Sequence, residues 1–266
     1  MIDIHAHILN GVDDGAQDEE TSLSLIKLAA EKGTTDLFCT PHVIEAGRGL
    51  TWQDITAKTQ ELQEKATAQG IKIRLHSGAE LEMNIDLMQM LQKGHPDYCL
   101  GGSRYVLIEL PAYGIPNHLE DIIYFLEIND FIPILAHPER HEKFMANHEL
   151  ILRLLQRGIL LQCNAGSIIG FFGEKIKDNV ELLLKNKAVS FIGSDAHRTH
   201  GRNTNLEAAE QELIKLVGEK QTETIVNANA YYILTNEPFM PDAPTAIQPL
   251  KRGFWQTLKK LTKGNK

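Results

Sequence analysis

The chain alternates short apolar runs with longer amphipathic stretches. Seven runs, at 2–4, 35–39, 71–76, 105–110, 132–135, 159–163 and 189–192, are rich in β-branched or large apolar residues. That is the pattern of strands buried on both faces. Between them lie segments of helical character at 18–32, 51–69, 117–129, 147–157, 173–187 and 205–217. Two of these carry boundary signals: Asp18 is an N-cap with Gly33 as the stop, and Thr51 with Asp54 reads as a capping box ahead of Gly70. Strand then helix, repeated, predicts a parallel sheet covered by helices.

The polar positions decide between an open sheet and a barrel. His5 and His7 are two residues apart, so on a strand they share a face and can grip one ion, and the same holds for Asp195 and His197. Asp14 lies further along after the first run, His42, Glu80 and His137 follow the ends of other runs, Glu109 closes the fourth, and the sixth is followed by Asn164. An open sheet gathers only the strand ends near its switch point, whereas a barrel brings every C-terminal end to one mouth. The expected fold is therefore α/β and barrel-like. Taken singly, Glu109 or His42 reads as a hydrogen-bonded structural group. Nine nitrogen and oxygen donors at strand ends read as a multi-metal hydrolytic centre. His76, His95, His118, His141, His148 and His200 lack this ordered placement and are expected at the surface or in support of the site, with His200 the leading exception.

Composition narrows the chemistry. The 266 residues, 42% hydrophobic and 23% charged, suit one large domain. There is no apolar stretch of membrane-spanning length and no secretory signal pattern, so the expected location is cytoplasmic. The net charge of −8 argues against a nucleic-acid partner. Cys39, Cys99 and Cys163 are too scattered for a disulfide framework. They also exclude a cysteine phosphatase, because the sixth residues beyond them are Glu45, Tyr105 and Ile169 and never the arginine of Cys-x5-Arg. Neither a phosphate-binding G-x-x-x-x-G-K-[ST] loop nor a G-x-G-x-x-G fingerprint is present, so ATP and NAD are not expected.

The ordered motifs His5-Ala6-His7, Asp13-Asp14-Gly15, Thr40-Pro41-His42, Gly78-Ala79-Glu80, Ala136-His137-Pro138-Glu139-Arg140 and Gly193-Ser194-Asp195-Ala196-His197 resemble the polymerase-and-histidinol-phosphatase (PHP) family. The likeness extends to about Pro238 and is nearest to the metal-dependent protein-tyrosine phosphatases of bacterial capsular and exopolysaccharide gene clusters. It implies a distorted (β/α)7 barrel of the TIM-like kind, three divalent metal ions and phosphomonoesterase activity. The metal is usually manganese, while imidazole and carboxylate donors also suit iron or zinc. Carried over by residue, the resemblance assigns His5, His7, Glu80 and Asp195 to one ion. Glu80 bridges to a second held by Glu109 and His137, and Asp14, His42 and His197 hold the third. Glu109 stands where the wider superfamily commonly has histidine, which matches the tyrosine-phosphatase subgroup.

A phosphate monoester needs hydroxide near neutral pH and cancellation of phosphoryl charge. The expected reaction is in-line attack by a water that bridges two cations. Arg140 and Arg202 are the expected phosphate clamps, since guanidinium is a planar fork for phosphate oxygens. Arg48 stays outside this assignment. Phe171, Phe172 and Tyr113 are read as either mouth or core. The expected partner is the phosphotyrosyl tail of a bacterial tyrosine kinase that controls polysaccharide export. The alternatives are a histidinol-phosphatase-like enzyme of small molecules and a non-catalytic metal-stabilised module.

The expected domain is 1–238, followed by a proline-containing linker and basic tail over 239–266. Within the tail, residues 251–266 carry six Lys and Arg and no acid, which leaves −14 for the rest. Phe254, Trp255, Leu258 and Leu261 would line one side of a short helix. That helix suits an anionic membrane surface at the inner face, a subunit contact in a homo-oligomer, or a solubilising tail.

Overall fold

The computed structural model describes residues 1–44, 49–92 and 94–250. Arg48 and the basic tail therefore lie outside the described residues. Among the described residues nine strands run parallel: β1 (Ile2–Ala6), β2 (Asp36–Cys39), β3 (His42–Val43), β4 (Arg74–Ser77), β5 (Glu80–Glu82), β6 (Tyr105–Glu109), β7 (Ile132–Ala136), β8 (Leu160–Asn164) and β9 (Phe191–Gly193). They form two ladders, β1-β2-β4 and β3-β5-β6-β7-β8-β9.

Two short strands, β3 and β5, lie beyond the expected runs 35–39 and 71–76, and the breaks before them join the ladders. Thr40-Pro41 separates β2 from β3, where proline has no N–H for a ladder. Gly78-Ala79 separates β4 from β5, and a Cβ at Gly78 would lie 2.8 Å from Leu100 Cδ2. At the seam the chains stay tied: Thr40 N donates to Ala6 O at 2.9 Å, and Glu80 N to Pro41 O at 3.0 Å. The seventh run returns to the first through the Ala6 and Ala196 bridge. There His7 N donates to Ala196 O at 2.9 Å and Asp195 N to His5 O at 2.8 Å. Seven strand paths thus surround one interior, a distorted (β/α)7 barrel whose regular pairing is interrupted at the mouth.

Alternation along the strands fills this interior from below. Ile2, Ile4, Phe38, Tyr105, Leu107, Ile134, Leu160 and Phe191 form one buried cluster, joined by Ala230 and Ile233 of the terminal helix Asn229–Thr235. Continuing upward with the same period, Glu109 follows Leu107, and Gln162 and Asn164 follow Leu160. The opposite strand faces, with Leu37, Val106, Ile108, Leu135, Leu161 and Ile192, pack under the surrounding helices. The barrel is thus apolar at its base and polar at its C-terminal rim.

The long helices match the amphipathic segments closely: Glu19–Glu31, Trp52–Ala68, Leu119–Ile128, His148–Gln156, Glu174–Lys185 and Glu207–Val217. Asp18 and Thr51 both cap as expected, the latter in a complete capping box. Beyond 217 the chain remains helical from Glu219 to Thr235 and closes the base, where Tyr105 Oη donates to Glu237 O at 2.6 Å. Residues 239–250 pack back on the barrel, with the Phe239 ring against Phe191 and Tyr232. Asn186 and Gln248 exchange two hydrogen bonds there. No helix among the described residues is long and apolar enough to cross a membrane.

Candidate metal centre

All nine sequence-predicted donors meet at the barrel mouth. His5 and His7 arrive on and just beyond β1, His42 on β3, Glu80 on β5, and Glu109 at the end of β6. His137 follows β7, Asp195 and His197 follow β9, and Asp14 comes from the loop after β1. His5, His7, Glu80, His137, Asp195 and His197 are buried, while Asp14 stands at the solvent edge. Two of the turns are costly: His137 has φ 34° and Asp195 φ 51°, the left-handed region that residues with a Cβ disfavour. Such outliers persist where surroundings over-determine them and concentrate at functional sites. Here Asp195 N is tied to His5 O, and Arg140 N to His137 O at 3.1 Å.

Glu80 is the hub. Its Oε2 lies 3.2 Å from each of His5 Nε2, His7 Nε2 and His42 Nδ1, and its Oε1 lies 2.8 Å from His137 Nε2. Asp195 Oδ1 is 3.7 Å from His5 Nε2 and 3.5 Å from His7 Nε2. Asp14 Oδ1 is 3.2 Å from His197 Nε2 and 3.6 Å from His42 Nε2. Three overlapping donor groups result: His5, His7 and Glu80; His42, Glu80 and Glu109; and His7, Asp14, His42 and His197. His42 belongs to two of them, because its Nδ1 faces Glu109 Oε1 at 2.9 Å while Nε2 faces Asp14.

This arrangement fits cations better than hydrogen bonds. Glu80 Oε2, His42 Nδ1, His137 Nδ1 and His197 Nε2 are buried without a directed hydrogen bond, a state that is costly for polar atoms. His7 Nδ1 lies 2.8 Å from Asp13 Oδ2, an acceptor that holds a proton on that nitrogen and turns Nε2 toward the site. This Nε2 lies 3.0 Å from His5 Nε2. Two donors bonded at right angles to one ion at about 2.1 Å would stand about 3 Å apart. Thiolate plays no part, since Cys39, Cys99 and Cys163 are buried in the apolar layers and their thiols are pushed up by burial.

The local field favours positive charge. Burial opposes charging of His5, yet Glu80 and Asp195 outweigh it and lift the imidazole to about 9. Burial alone would raise Glu80, but His5 and His137 hold it well below the carboxylate range. Asp13 is likewise held down at about 2, burial being outweighed by its bond to His7. His141, expected at the surface or in support, lines the cavity beside His137 with ring centroids 6.2 Å apart. Burial, His137 and Arg140 together push it down to about 4.

Both predicted arginines reach the site. Arg140 Nη1 donates to Asp195 Oδ2 at 2.9 Å, and Arg202 Nη2 donates to Asp195 Oδ1. Their guanidinium carbons lie 4.8 and 6.0 Å from the centroid of Phe172, which forms an aromatic platform beneath both. Together with Asp14, His42, Glu109, His137 and His197 they line a cavity of about 440 Å3. Sequence reasoning missed Asp13, which orients His7 and also accepts from His42 N at 3.0 Å. The adjacent Asp13-Asp14 pair was the available signal. Gly15 makes that loop possible, because a Cβ there would collide with the carbonyl of His7.

Known proteins share this architecture over nearly the whole chain. The tyrosine-protein phosphatase YwqE of Bacillus subtilis (strain 168) is 30% identical over 252 residues, covering 95% of this chain and 97% of that protein. CapC of Staphylococcus aureus is 29% identical over 254 residues, covering 96% and 99%. A crystal structure from work on YwqE and on CpsB of Streptococcus pneumoniae, described as unique metal-dependent tyrosine phosphatases, superposes with a TM-score of 0.86 at 29% identity. It covers 95% of this chain and 100% of the other. The family model for capsular polysaccharide synthesis, CpsB/CapC, matches residues 1–235, and the chain belongs to that family.

Proposed function

We propose that this chain is a metal-dependent protein-tyrosine phosphatase acting on the phosphotyrosyl tail of a bacterial tyrosine kinase that controls polysaccharide synthesis or export. The carrying observation is the convergence of nine imidazole and carboxylate donors with two arginines at one barrel mouth, in a chain related over its length to YwqE. Three divalent ions, manganese by preference, would be held by His5, His7, Glu80 and Asp195; by Glu80, Glu109 and His137; and by Asp14, His42 and His197. When bound, such ions supply hydroxide near neutral pH and offset charge on the phosphoryl oxygens.

The remaining residues shape the reaction. Arg140 and Arg202 present guanidinium forks to the non-bridging oxygens, and their shared contacts with Asp195 and Phe172 orient them beforehand. His141 is neutral at physiological pH and adds a ring, without a charge, to the cavity wall. Phosphotyrosine suits this site because its phenolate leaving group has a conjugate-acid pKa of about 10 and needs less protonation than an alkoxide. With manganese supplied, kcat/KM for phosphotyrosyl peptides is expected to exceed that for histidinol phosphate by at least about tenfold, or ~1.4 kcal/mol. A preference for histidinol phosphate would transfer the chain to the small-molecule phosphatases, and no turnover of either would remove the enzymatic reading.

A further inference from the structure

Gln162 and Asn164 are fully buried polar side chains on β8 that point into the barrel just below the metal centre, and none of the catalytic roles above uses them. They are linked in one direction. Asn164 Nδ2 lies 2.6 Å from Asp195 Oδ2, Gln162 Nε2 lies 2.9 Å from Asn164 Oδ1, and Gln162 Oε1 lies 2.9 Å from His5 Nδ1. An ionised carboxylate only accepts hydrogen bonds, so the amide of Asn164 must aim its NH2 group at Asp195 and its oxygen at Gln162. Gln162 then aims its own NH2 group at that oxygen and its Oε1 at His5. The Nδ1 of His5 must donate, so Nε2 is the nitrogen turned toward the metal site.

We infer that Gln162 and Asn164 are positioning residues that copy the orientation of Asp195 onto His5, fixing the imidazole with Nε2 free to bind metal. The inference rests on the metal-site reading above. It extends that reading to two residues that touch neither substrate nor ion. The chain starts at one proposed ligand of the first ion and ends at another, so a single ladder of hydrogen bonds sets both ends of the site. Its packing leaves no slack. A Cβ at Gly193, the β9 residue paired with Asn164, would lie 3.1 Å from Gln162 Nε2 and 2.6 Å from the Cβ of His5. The backbone of Asn164 is pinned as well, its N–H donating to Glu139 Oε1 at 2.9 Å. His7 reaches the same tautomer by a separate route, through Asp13. Two imidazoles thus turn their Nε2 atoms toward one another, 3.0 Å apart, each with its Nδ1 held by its own acceptor.

The test uses the full chain, stripped with chelator and titrated with manganese, with bound metal counted by mass spectrometry. Gln162→Leu removes the acceptor behind His5, and Gln162→Glu keeps it while severing the link to Asn164. The leucine variant is expected to bind the tightest manganese 10- to 100-fold more weakly, the range typical when a partner of a ligating histidine is lost. The glutamate variant should recover only part of that loss, because it restores the acceptor at His5 but leaves it detached from Asn164, and the melting temperatures of the stripped proteins should stay close to one another. Manganese affinity in Gln162→Leu equal to that of the wild type would overturn the inference and leave the metal site standing. Equal weakening in both variants, with melting temperatures lowered to match, would reduce Gln162 to a packing residue. A wild type that takes up no manganese would bring down the metal-site reading and the inference together.

Discussion

Glu80→Ala is expected to lower kcat/KM toward a phosphotyrosyl peptide by about three orders of magnitude or more, roughly 4 kcal/mol of transition-state stabilisation. Bound metal should fall by at least one equivalent. The reason is geometric. Glu80 is wholly buried, and its two oxygens stand within 3.2 Å of four imidazole nitrogens, on His5, His7, His42 and His137. Removing it leaves those nitrogens around a neutral gap and takes away the carboxylate shared by two of the donor groups, His5, His7 and Glu80 and His42, Glu80 and Glu109. Glu80→Gln keeps the volume and one acceptor oxygen but loses the charge, so it should retain the fold and still lose metal. A Glu80→Ala protein with wild-type metal content and turnover would show that the cluster is a structural hydrogen-bond network.

The second large effect concerns Arg140. Arg140→Ala should reduce kcat/KM by about a hundredfold to a thousandfold, the range seen when one preorganised donor to a transition-state oxyanion is lost, ~2.7–4 kcal/mol. Metal content should be unchanged. Arg140→Lys should restore less than a tenth of the lost activity, because an ammonium cannot reproduce a planar two-pronged contact. Arg202→Ala should behave similarly but less severely, since its guanidinium sits farther from Phe172. The arginines also touch Asp195, which provides the contrary outcome. If metal loss accompanies the loss of rate in proportion, Arg140 serves to hold Asp195 in place and does not clamp the phosphate.

Much of this geometry was legible in the chain because it follows from strand physics. Buried parallel strands are short apolar runs, their C-terminal ends share one rim, and residues two apart share a face. His5-x-His7 and the donors after successive runs were therefore readable as one site. The unread parts have different physical causes. β3 and β5 span two and three residues after Thr40-Pro41 and Gly78-Ala79, too few for periodicity to register, so neither was read as a strand. The left-handed turns at His137 and Asp195 carry no glycine to announce them. The helical stretch 219–235 packs at the base through only a few apolar positions, Ile225, Val226, Ala230 and Ile233. Gln162 was hidden inside an apolar run. The alternation Leu160, Gln162, Asn164 was its signal, since polar residues on the inward face of a barrel strand must find partners near the mouth.

The orientation of the site likewise emerged only in three dimensions. Asp13 and Asp14 are neighbours in sequence, yet Asp13 turns inward to the back of His7 while Asp14 stands at the rim facing His42 and His197. Spacing alone cannot separate the residue that holds a ligand from the one that serves as a ligand. His42 shows the same limit. Both its ring nitrogens face carboxylates, Glu109 on one side and Asp14 on the other, so one imidazole lies between two donor groups that the resemblance treats as separate.

Anomalous diffraction at the manganese edge from crystals of the full chain grown with manganese would locate the ions themselves. Peaks are expected at the barrel mouth within coordination distance of His5, His7 and Glu80, of Glu80, Glu109 and His137, and of Asp14, His42 and His197. Manganese found only at surface carboxylates, with the mouth held together by direct hydrogen bonds among these residues, would contradict the metal-site reading.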